Sequence, residues 1–294
     1  MTDTDLARAR PQVLSIQSSV AYGHAGNSAA VFPLQRLGVE VWPVHTVHFS
    51  NHTGYGIWKG PVLAAADVAA VIDGVSDLDV LGDISAVLSG YQGAEEVGQV
   101  ILDTVARVKA ENQDAVYCCD PVMGDVGRGF FVRAGIPEFM RSAVVPAADI
   151  VTPNQFELEY LAPGRSILAT DDLLEAIAGL RALGPSTVLV TSVRIDGIAM
   201  DEVGLVAADD AGVWLVKTPL LPVAVNGAGD ATAAIFLAHL LAGDDAPTAL
   251  AKVSSSVFAI LQNTLELNRR EIALVASGDQ IADPACEFEV RQLA

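Results

Sequence analysis

Positive charge is scarce in this sequence, which has 17 lysines and arginines against 36 aspartates and glutamates in 294 residues. The formal net charge is −19. Proteins that bind nucleic acid or an anionic membrane surface present clustered lysine and arginine side chains. The composition therefore argues against both kinds of partner.

Long hydrophobic runs are also absent, although 51% of the residues are hydrophobic. A membrane-spanning helix needs about 20 consecutive apolar residues, and even residues 231–242 are interrupted by His239. Residues 1–10 are polar and contain no apolar segment of the kind found in secretory signals, so we expect no signal peptide.

Cysteine is rare, with three residues, Cys118, Cys119 and Cys286. Adjacent residues of a strand point to opposite faces, and an odd number of cysteines does not suggest a disulfide framework. No other cysteine or histidine lies at metal-ligand spacing from Cys118 and Cys119, so we expect no metal site there. These features favour a cytoplasmic protein with reduced thiols.

Two common nucleotide-binding motifs are missing. Gly23 and Gly26 form only a Gly-x-x-Gly, not the full Gly-x-Gly-x-x-Gly fingerprint, and no Gly-Lys-Ser/Thr sequence is present. The sequence therefore excludes a P-loop and does not support a dinucleotide-binding motif.

Short apolar runs alternate with longer segments of helical periodicity, a pattern that predicts an α/β fold with a mostly parallel sheet. No repeat or linker divides the chain, so we expect one domain over residues 1–294, with residues 1–11 as a flexible extension. The predicted strands cover residues 13–17, 39–44, 86–89, 115–119, 150–152, 188–192, 204–207 and 213–217, and the predicted helices cover residues 26–37, 94–110, 155–161, 171–183, 227–241 and 247–265.

Polar clusters fall where the predicted strands end. Ligands of open α/β sheets bind at the carboxyl ends of the strands, so these clusters predict one ligand site. They cover residues 15–18, 23–27, 50–54, 120–125, 152–157, 191–192 and 226–230.

The strongest chemical signal is the turn Asn226-Gly227-Ala228-Gly229-Asp230, which precedes a helix of small residues. Glycines allow a tight turn and a close approach of a ligand. The first N–H groups of the helix have no partner within it and favour an anion. Asp230 is either a helix first-turn aspartate or a base that takes a proton from a substrate hydroxyl.

Two acidic clusters follow predicted strands. Asp120 and Asp125 have the carboxylates that hold Mg²⁺, usually through water, although a solvated Asp-Pro turn would contain them too. Asn154 and Glu157 have the spacing of a capping box. Such a cap also suits a metal–phosphate site, and the two interpretations are compatible.

The polar residues near the first two strands include hydroxyls, an amide, imidazoles and an aromatic ring. Such a set suits a small polar heteroaromatic ligand. It comprises residues 15–18, 23–27 and 49–54.

These motifs resemble the pyridoxal kinases of the ribokinase superfamily. Phe-Ser-Asn-His-Thr-Gly-Tyr at residues 49–55 and Leu-Ser-Gly-Tyr at residues 88–91 are specific to vitamin B6 kinases, whereas Gly-Ala-Gly-Asp at residues 227–230 is shared by the superfamily. The matching runs occur in family order at residues 14–18, 23–30, 49–55, 88–91, 119–124, 152–157 and 227–230, within a span of roughly residues 13–265.

The resemblance implies a ribokinase-like three-layer αβα sandwich that transfers the γ-phosphate of ATP to the 5′-hydroxyl of pyridoxal, with Mg²⁺ required. Asp230 corresponds to the base, and the N–H groups of Gly227, Ala228 and Gly229 correspond to an anion hole. The pyridoxal site implied by the family comprises Ser18, Val47, Phe49, His52, Thr53, Gly54, Tyr91 and Asp230.

The ATP side also follows from the resemblance. Asp125 and Glu157 correspond to the residues that hold Mg²⁺ through water, and residues 126–131 correspond to a phosphate-covering loop. The apolar residues 219–225 and 257–261 are expected around the nucleotide base. The implied ATP-binding residues are Asp120, Asp125, Thr152, Asn154, Glu157, Thr191, Ser192, Gly227 and Gly229.

Several alternatives stay open at this point. A hydroxymethylpyrimidine kinase would share the phosphate-binding residues, and a non-catalytic pyridoxal or pyridoxal-phosphate carrier could use the same scaffold. Retention of Asp230 and the acidic residues argues against the carrier. The family also implies a homodimer and leaves open a monovalent cation such as K⁺ and the choice among pyridoxal, pyridoxine and pyridoxamine.

Overall fold

The computed structural model of the chain describes residues 10–162, 166–286 and 288–294. Apart from Arg10 and Pro11, the expected N-terminal extension lies outside the described residues. Within them, no helix combines the length and the apolar character needed to cross a membrane.

The described residues form a nine-stranded sheet in the order β11-β10-β9-β8-β7-β4-β3-β1-β2, together with a small two-stranded hairpin, β5-β6. The pairs from β2 to β8 are parallel, and the pairs from β8 to β11 are antiparallel. The strands are β1 Gln12–Val20, β2 Glu40–Phe49, β3 Ala86–Ser89, β4 Val116–Cys119, β5 Gly124–Asp125, β6 Gly129–Phe130, β7 Ile150–Val151, β8 Thr187–Val193, β9 Glu202–Asp209, β10 Gly212–Pro219 and β11 Val290–Gln292.

Helices cover both faces of the large sheet. One face carries α2 to α7, and the other carries α1, α8, α9 and α10, each with its own apolar core. The helices are α1 Asn27–Arg36, α2 Ala65–Ser76, α3 Glu95–Glu111, α4 Ile136–Phe139, α5 Val145–Ala147, α6 Gln155–Leu161, α7 Thr170–Arg181, α8 Ala228–Leu241, α9 Ala246–Glu266 and α10 Gly278–Ala282, and a π-helical segment, Met140–Val144, joins α4 to α5.

Alternation along the strands explains why both cores form. Cys119 lies in the core under α2 to α7, and its neighbour Cys118 lies in the core under α8 and α9. Both thiols are buried and unpaired, as the sequence predicts for adjacent strand residues. The expected three-layer αβα architecture is therefore confirmed.

The chain order of the strands reverses at β1, which lies between β2 and β3. A crevice opens at such a switch point, beyond the carboxyl ends of the parallel strands. The polar segments after β1, β2, β3, β4 and β7 therefore meet at one edge of the sheet.

All the predicted strands and helices are present, and the ends of most agree within a few residues. The sequence does not predict helix α2, the segment 136–147, the β5-β6 hairpin, helix α10 or strand β11. These elements flank the sheet or add to its edge.

Candidate active site

A cleft of about 410 Å³ lies at the carboxyl ends of the strands. It contains every residue that the sequence assigns to a site except Gly54. The predicted residues that line it are Ser18, Val47, Phe49, His52, Thr53, Tyr91, Asp120, Asp125, Thr152, Asn154, Glu157, Thr191, Ser192, Gly227, Ala228, Gly229 and Asp230. The structure thus brings them together, while their individual roles stay predictions.

The glycine-rich turn forms the N-terminus of α8. Gly227 is the N-cap residue, has a φ of 88° and makes no side-chain cap. The first N–H groups of the helix have no acceptor within it, so they can bind an anion in the cleft. Asp230 is the third residue of α8, on its first turn.

Burial raises the pKa of Asp230 above its ordinary value. Hydrogen bonds from the backbone of Gly26 and of Asp230 itself act in the opposite direction. A carboxylate with a raised pKa accepts a proton more readily, which is the property needed in a general base. The contact with Gly26 also places Asp230 beside the segment that follows β1.

Two further carboxylates lie in the same part of the cleft. Burial, followed by the neighbouring charges of Glu157 and Asp230, raises the pKa of Asp120 well above its ordinary value. Burial also raises the pKa of Glu157 to about 7, against hydrogen bonds from backbone N–H groups. These carboxylates repel one another, so a cation at this point would favour their ionised forms.

Glu157 and Asn154 form the capping box that the sequence predicts. The Asn154 side chain accepts a hydrogen bond from the Glu157 N–H at 2.9 Å, and Glu157 Oε2 accepts one from the Asn154 N–H at 3.0 Å. Glu157 Oε1 accepts from the N–H of Met123 at 2.8 Å, which fixes the segment after β4. The cap thus holds two strand ends together.

Thr191 and Ser192 lie at an irregularity near the end of β8. The pairing of β8 with β9 shifts between Val190 and Val193, and Ser192 has a φ of 58°. A positive φ is uncommon for serine, and such strain is often found at binding sites. The irregularity turns both hydroxyl residues to the cleft.

Ser18 marks the opposite end of the cleft. Gly26 packs so closely on Ser18 that a Cβ at residue 26 would overlap its backbone and its hydroxyl oxygen. The buried Asn27 amide donates hydrogen bonds to the carbonyl oxygens of Gln17 at 3.2 Å and Val44 at 2.9 Å, which ties β1 to β2. The position of Ser18 is therefore fixed by the backbone around it.

The walls near Ser18 are apolar and aromatic. Val47 and Phe49 on β2 are buried, and Tyr91 follows β3 and packs against them. Flat apolar walls with a few hydroxyls suit an aromatic ring with polar substituents.

Gly54 is set back from the cleft, which differs from its predicted place in the pyridoxal site. A Cβ at residue 54 would lie 2.9 Å from the Asn226 side chain and 3.0 Å from Nδ1 of His52. The missing side chain therefore allows Asn226 and His52 to pack close to the turn. Gly54 supports residues of the cleft wall.

The far end of the cleft is apolar. It is lined by the segments 219–225 and 257–261 that the sequence assigns to the nucleotide base, through Pro219, Leu220, Leu221, Val223, Val225, Val257, Phe258 and Leu261. Buried Ser254 on α9 adds a hydroxyl that has no hydrogen-bond partner within the described part of the chain. An apolar slot with one or two polar groups suits a purine base.

Arg128 and Glu271 are two residues that the sequence does not assign individually to the site. Arg128, on the turn between β5 and β6, is the one lysine or arginine that lines the cleft in the described part of the chain. Its guanidinium lies 3.4 Å from the Asn226 side-chain oxygen. Glu271 accepts hydrogen bonds from the side chains of His52 and Tyr55 in the segment after β2. Arg128 lies in the segment 126–131 that the resemblance assigns to a phosphate-covering loop, whereas Glu271 belongs to no local motif and only the fold reveals it.

The carboxylates of the cleft can be compared with what the predicted Mg²⁺ would require. Among the described residues, no group of three or more His, Cys, Asp or Glu side chains could hold a metal directly. Both oxygens of Glu157 already accept backbone hydrogen bonds. Asp125 and Glu157 would therefore hold a Mg²⁺ through water and not by direct coordination.

Comparisons with known proteins identify related kinases. A family model described as phosphomethylpyrimidine kinase matches residues 80–274. The pyridoxal kinase PdxY of Rubrobacter xylanophilus is 59% identical over 96% of this chain and 97% of its own length. The pyridoxal kinase PdxY of Leifsonia xyli is 54% identical over 96% of this chain and 99% of its own length.

A solved structure shares the whole architecture. The pyridoxal kinase from Leishmania donovani in complex with ADP and pyridoxine has a TM-score of 0.89 and 29% sequence identity. It covers 96% of this chain and 99% of its own. The likeness therefore extends over both ends of the cleft.

Proposed function

Because this chain belongs to the pyridoxal kinase family, we propose that its cleft binds ATP and pyridoxal at opposite ends, with Asp230 between them. The chain is an ATP-dependent pyridoxal kinase with a ribokinase-like fold. The geometry of the cleft supports the role that we propose for each of its parts.

The observation that carries these roles is the position of Asp230. It lies on the first turn of α8, beside the anion-binding N–H groups, and it contacts the backbone of Gly26 next to Ser18. A substrate hydroxyl held near Ser18 and a phosphate held by the α8 N-terminus would meet at this carboxylate.

The reaction then runs in one step. The 5′-hydroxyl oxygen of pyridoxal attacks the γ-phosphorus, an oxygen–phosphorus bond forms, and the bond to the β-phosphate oxygen breaks, so ADP leaves. Asp230 takes the hydroxyl proton. The N–H groups of Gly227, Ala228 and Gly229 stabilise the charge on the transferring phosphoryl group.

The remaining residues bind and orient the reactants. Ser18 and Thr53 hydrogen-bond polar substituents of the pyridine ring, and Phe49, His52 and Tyr91 enclose the ring. At the other end, Asp120, Thr152, Asn154, Thr191 and Ser192 line the path of the phosphates towards the apolar slot.

Arg128 supplies the side-chain cation. It lies on the hairpin that borders the phosphates, and its guanidinium also stacks over the Phe131 ring at 5.1 Å. An arginine beside a transferring phosphoryl group stabilises the negative charge of the transition state.

Mg²⁺ bound with ATP would neutralise the phosphate oxygens and so lower the barrier to transfer. Asp125 and Glu157 would hold it through water. Burial raises the pKa of Glu157 to about 7, so a nearby cation would stabilise the ionised form of this side chain.

Assembly and location are further parts of the proposal. We expect a homodimer and a cytoplasmic protein, as the family resemblance implies. Light scattering on the purified protein measures the first, and fractionation of the source cells measures the second. A monomer at micromolar concentration contradicts the homodimer.

The test of the proposed function is a comparison of acceptors. ATP consumption is measured with pyridoxal, pyridoxine, pyridoxamine and hydroxymethylpyrimidine, and pyridoxal is expected to give the highest kcat/KM. The family model described as phosphomethylpyrimidine kinase makes hydroxymethylpyrimidine the second candidate acceptor. Turnover with none of the four, together with micromolar binding of pyridoxal, would instead indicate a carrier.

A further inference from the structure

Glu271 lies in the segment that follows α9, more than two hundred residues from the loops it touches. Its side chain and that of His52 are only 12% and 10% exposed. Burial of a carboxylate costs free energy unless the group is hydrogen-bonded. The hydrogen-bond partners of Glu271 therefore compensate for its burial.

Three donors converge on this carboxylate. Oε1 accepts hydrogen bonds from Nε2 of His52 at 3.0 Å and from the Tyr55 hydroxyl at 2.6 Å. Oε2 accepts one from the backbone N–H of His24 at 3.1 Å. The donors belong to two different segments, one after β1 and one after β2.

The residues around the Glu271 carboxylate allow its close contact with the two segments. A Cβ at Gly23 would overlap the Glu271 carboxylate, so the backbone approaches it only because residue 23 is glycine. Arg270 places its guanidinium 4.0 Å from the centre of the Tyr55 ring. The hydrogen bond to Glu271 is the main cause that raises the pKa of Tyr55 to about 12, so the hydroxyl stays protonated and donates.

These hydrogen bonds fix the position of Thr53. It begins the short 3₁₀ turn Thr53–Tyr55, and its neighbours His52 and Tyr55 are both bound by Glu271. The carboxylate also fixes the His52 ring, since Oε1 accepts from Nε2, which assigns the hydrogen to that nitrogen, and Nδ1 has no hydrogen-bond partner among the described residues. Glu271 therefore sets the wall that encloses the substrate ring.

The same contact reaches the phosphate turn. The carbonyl oxygen of His24 packs against Gly227, and the side chain of Ile272 lies 3.3 Å from the position of a Cβ at residue 227. Glu271 and Ile272 thus contact the substrate loops and the α8 N-terminus from one short segment.

We propose that Glu271 is a positioning residue: it holds the His24 loop and the 52–55 turn in the geometry that binds the substrate ring, and aligns them with the phosphate turn. The proposal rests on the proposed function of the cleft. It assigns no contact between Glu271 and the reactants.

The test compares Glu271→Ala, Glu271→Gln and Tyr55→Phe with wild type in steady-state kinetics. We expect Glu271→Ala to raise the KM for pyridoxal about tenfold or more, with the KM for ATP within about twofold, because charge-assisted hydrogen bonds are lost at one end only. Glu271→Gln keeps the shape and restores part of the affinity. Tyr55→Phe removes a single bond and has a smaller effect of the same kind.

A binding measurement gives a readout apart from turnover. Pyridoxal alone and a non-hydrolysable ATP analogue alone are each expected to raise the melting temperature of wild type. Glu271→Ala should lose the shift with pyridoxal and keep the shift with the analogue. If Glu271→Ala does not fold, Glu271→Gln and Tyr55→Phe are compared in the same way.

The matched control is Glu266→Gln, which removes an exposed carboxylate at the end of α9 whose partner is Gln262. It should match wild type in both measurements. An unchanged KM for pyridoxal in the Glu271 variants, or equal losses for both ligands, would overturn the positioning role. Failure of wild type and Glu266→Gln to phosphorylate pyridoxal would instead overturn the proposed function.

Discussion

The carbonyl oxygen of His24 occupies the space that a Cβ atom at Gly227 would need. Gly227 also has a φ of 88°, a backbone conformation that L side chains rarely adopt. The turn at the start of α8 and the loop after β1 are therefore in direct backbone contact. Each holds the other in place.

We predict that Gly227→Ala lowers both stability and turnover. The positive φ alone costs about 1–2 kcal/mol for a residue with a Cβ, and the overlap with His24 adds to it. Thermal unfolding measures the loss. Gly229→Ala is the matched variant for stability, because no atom of the residues that the structure describes lies within 4 Å of a Cβ at that position, and its melting temperature should not fall.

Asp230→Ala should lower kcat by at least about 10²-fold with little change in ATP affinity, because it removes the base without touching the nucleotide end. Pre-steady-state turnover and ATP-analogue binding measure the two quantities separately. Asp279→Asn removes an exposed carboxylate paired with Arg36 and serves as control. Near-wild-type turnover in Asp230→Ala would refute the base assignment.

Thr53→Val and Thr191→Val form a reciprocal pair. Each removes one hydroxyl from a threonine that lines the cleft, at opposite ends. Thr53→Val should raise the KM for pyridoxal by more than that for ATP, and Thr191→Val should do the reverse, each by about 5- to 50-fold for a lost hydrogen bond. Equal effects on both substrates in either variant contradict the placement.

Arg128→Ala should lower kcat by about tenfold or more, and Arg128→Lys should recover part of it, since lysine keeps the charge but not the planar fork. Steady-state kinetics with saturating pyridoxal measures the change. Arg107→Ala is the control, because Arg107 pairs with Asp73 on the helices α3 and α2. A wild-type kcat in Arg128→Ala means that the hairpin supplies no catalytic charge.

The raised pKa of Glu157 predicts how stability depends on pH. Its ordinary value is 4.5, and burial raises it to about 7. The folded state therefore binds the proton more tightly, so this contribution to stability is fully present below pH 4.5 and is lost as pH rises through about 7.

Chemical denaturation of ligand-free wild type and Glu157→Gln, from pH 4.5 to 8, isolates the contribution of this group. The difference in unfolding free energy, wild type minus variant, should fall as pH rises, by up to about 1.4 kcal/mol for each pH unit. A difference that rises with pH would show that the backbone hydrogen bonds to Glu157 outweigh its burial.

Much of the fold could be predicted because its signals are local. The alternation of apolar residues gives the strands, and the spacing of Asn154 and Glu157 gives the start of α6. Helix α2 has no such signal, since only Val68 and Ile72 are buried and its N-cap, Ala64, has no capping side chain. Strand β11 depends on pairing with β10 far away in the chain.

The residues of the site also differ in whether a local motif predicts them. The residues of the Gly-Ala-Gly-Asp turn stand together in the sequence and line one cleft. Glu271 has no local motif, because the donors to its carboxylate are 216 to 247 residues away. Gly54 lies within a specific motif, yet it supports Asn226 and His52 from behind the cleft.

The charged residues of the cleft have a consequence for the rate of nucleotide entry. Among the described residues, four carboxylates and one guanidinium line it, within a chain of net charge −19. At low salt this negative field repels an approaching polyphosphate, whereas at 0.1 M salt the Debye length is only about 10 Å and the repulsion is screened beyond that distance. Attraction begins only when the anion reaches the α8 N-terminus and Arg128. The association rate of nucleotide should therefore increase with ionic strength, opposite to enzymes that steer phosphates with lysine and arginine.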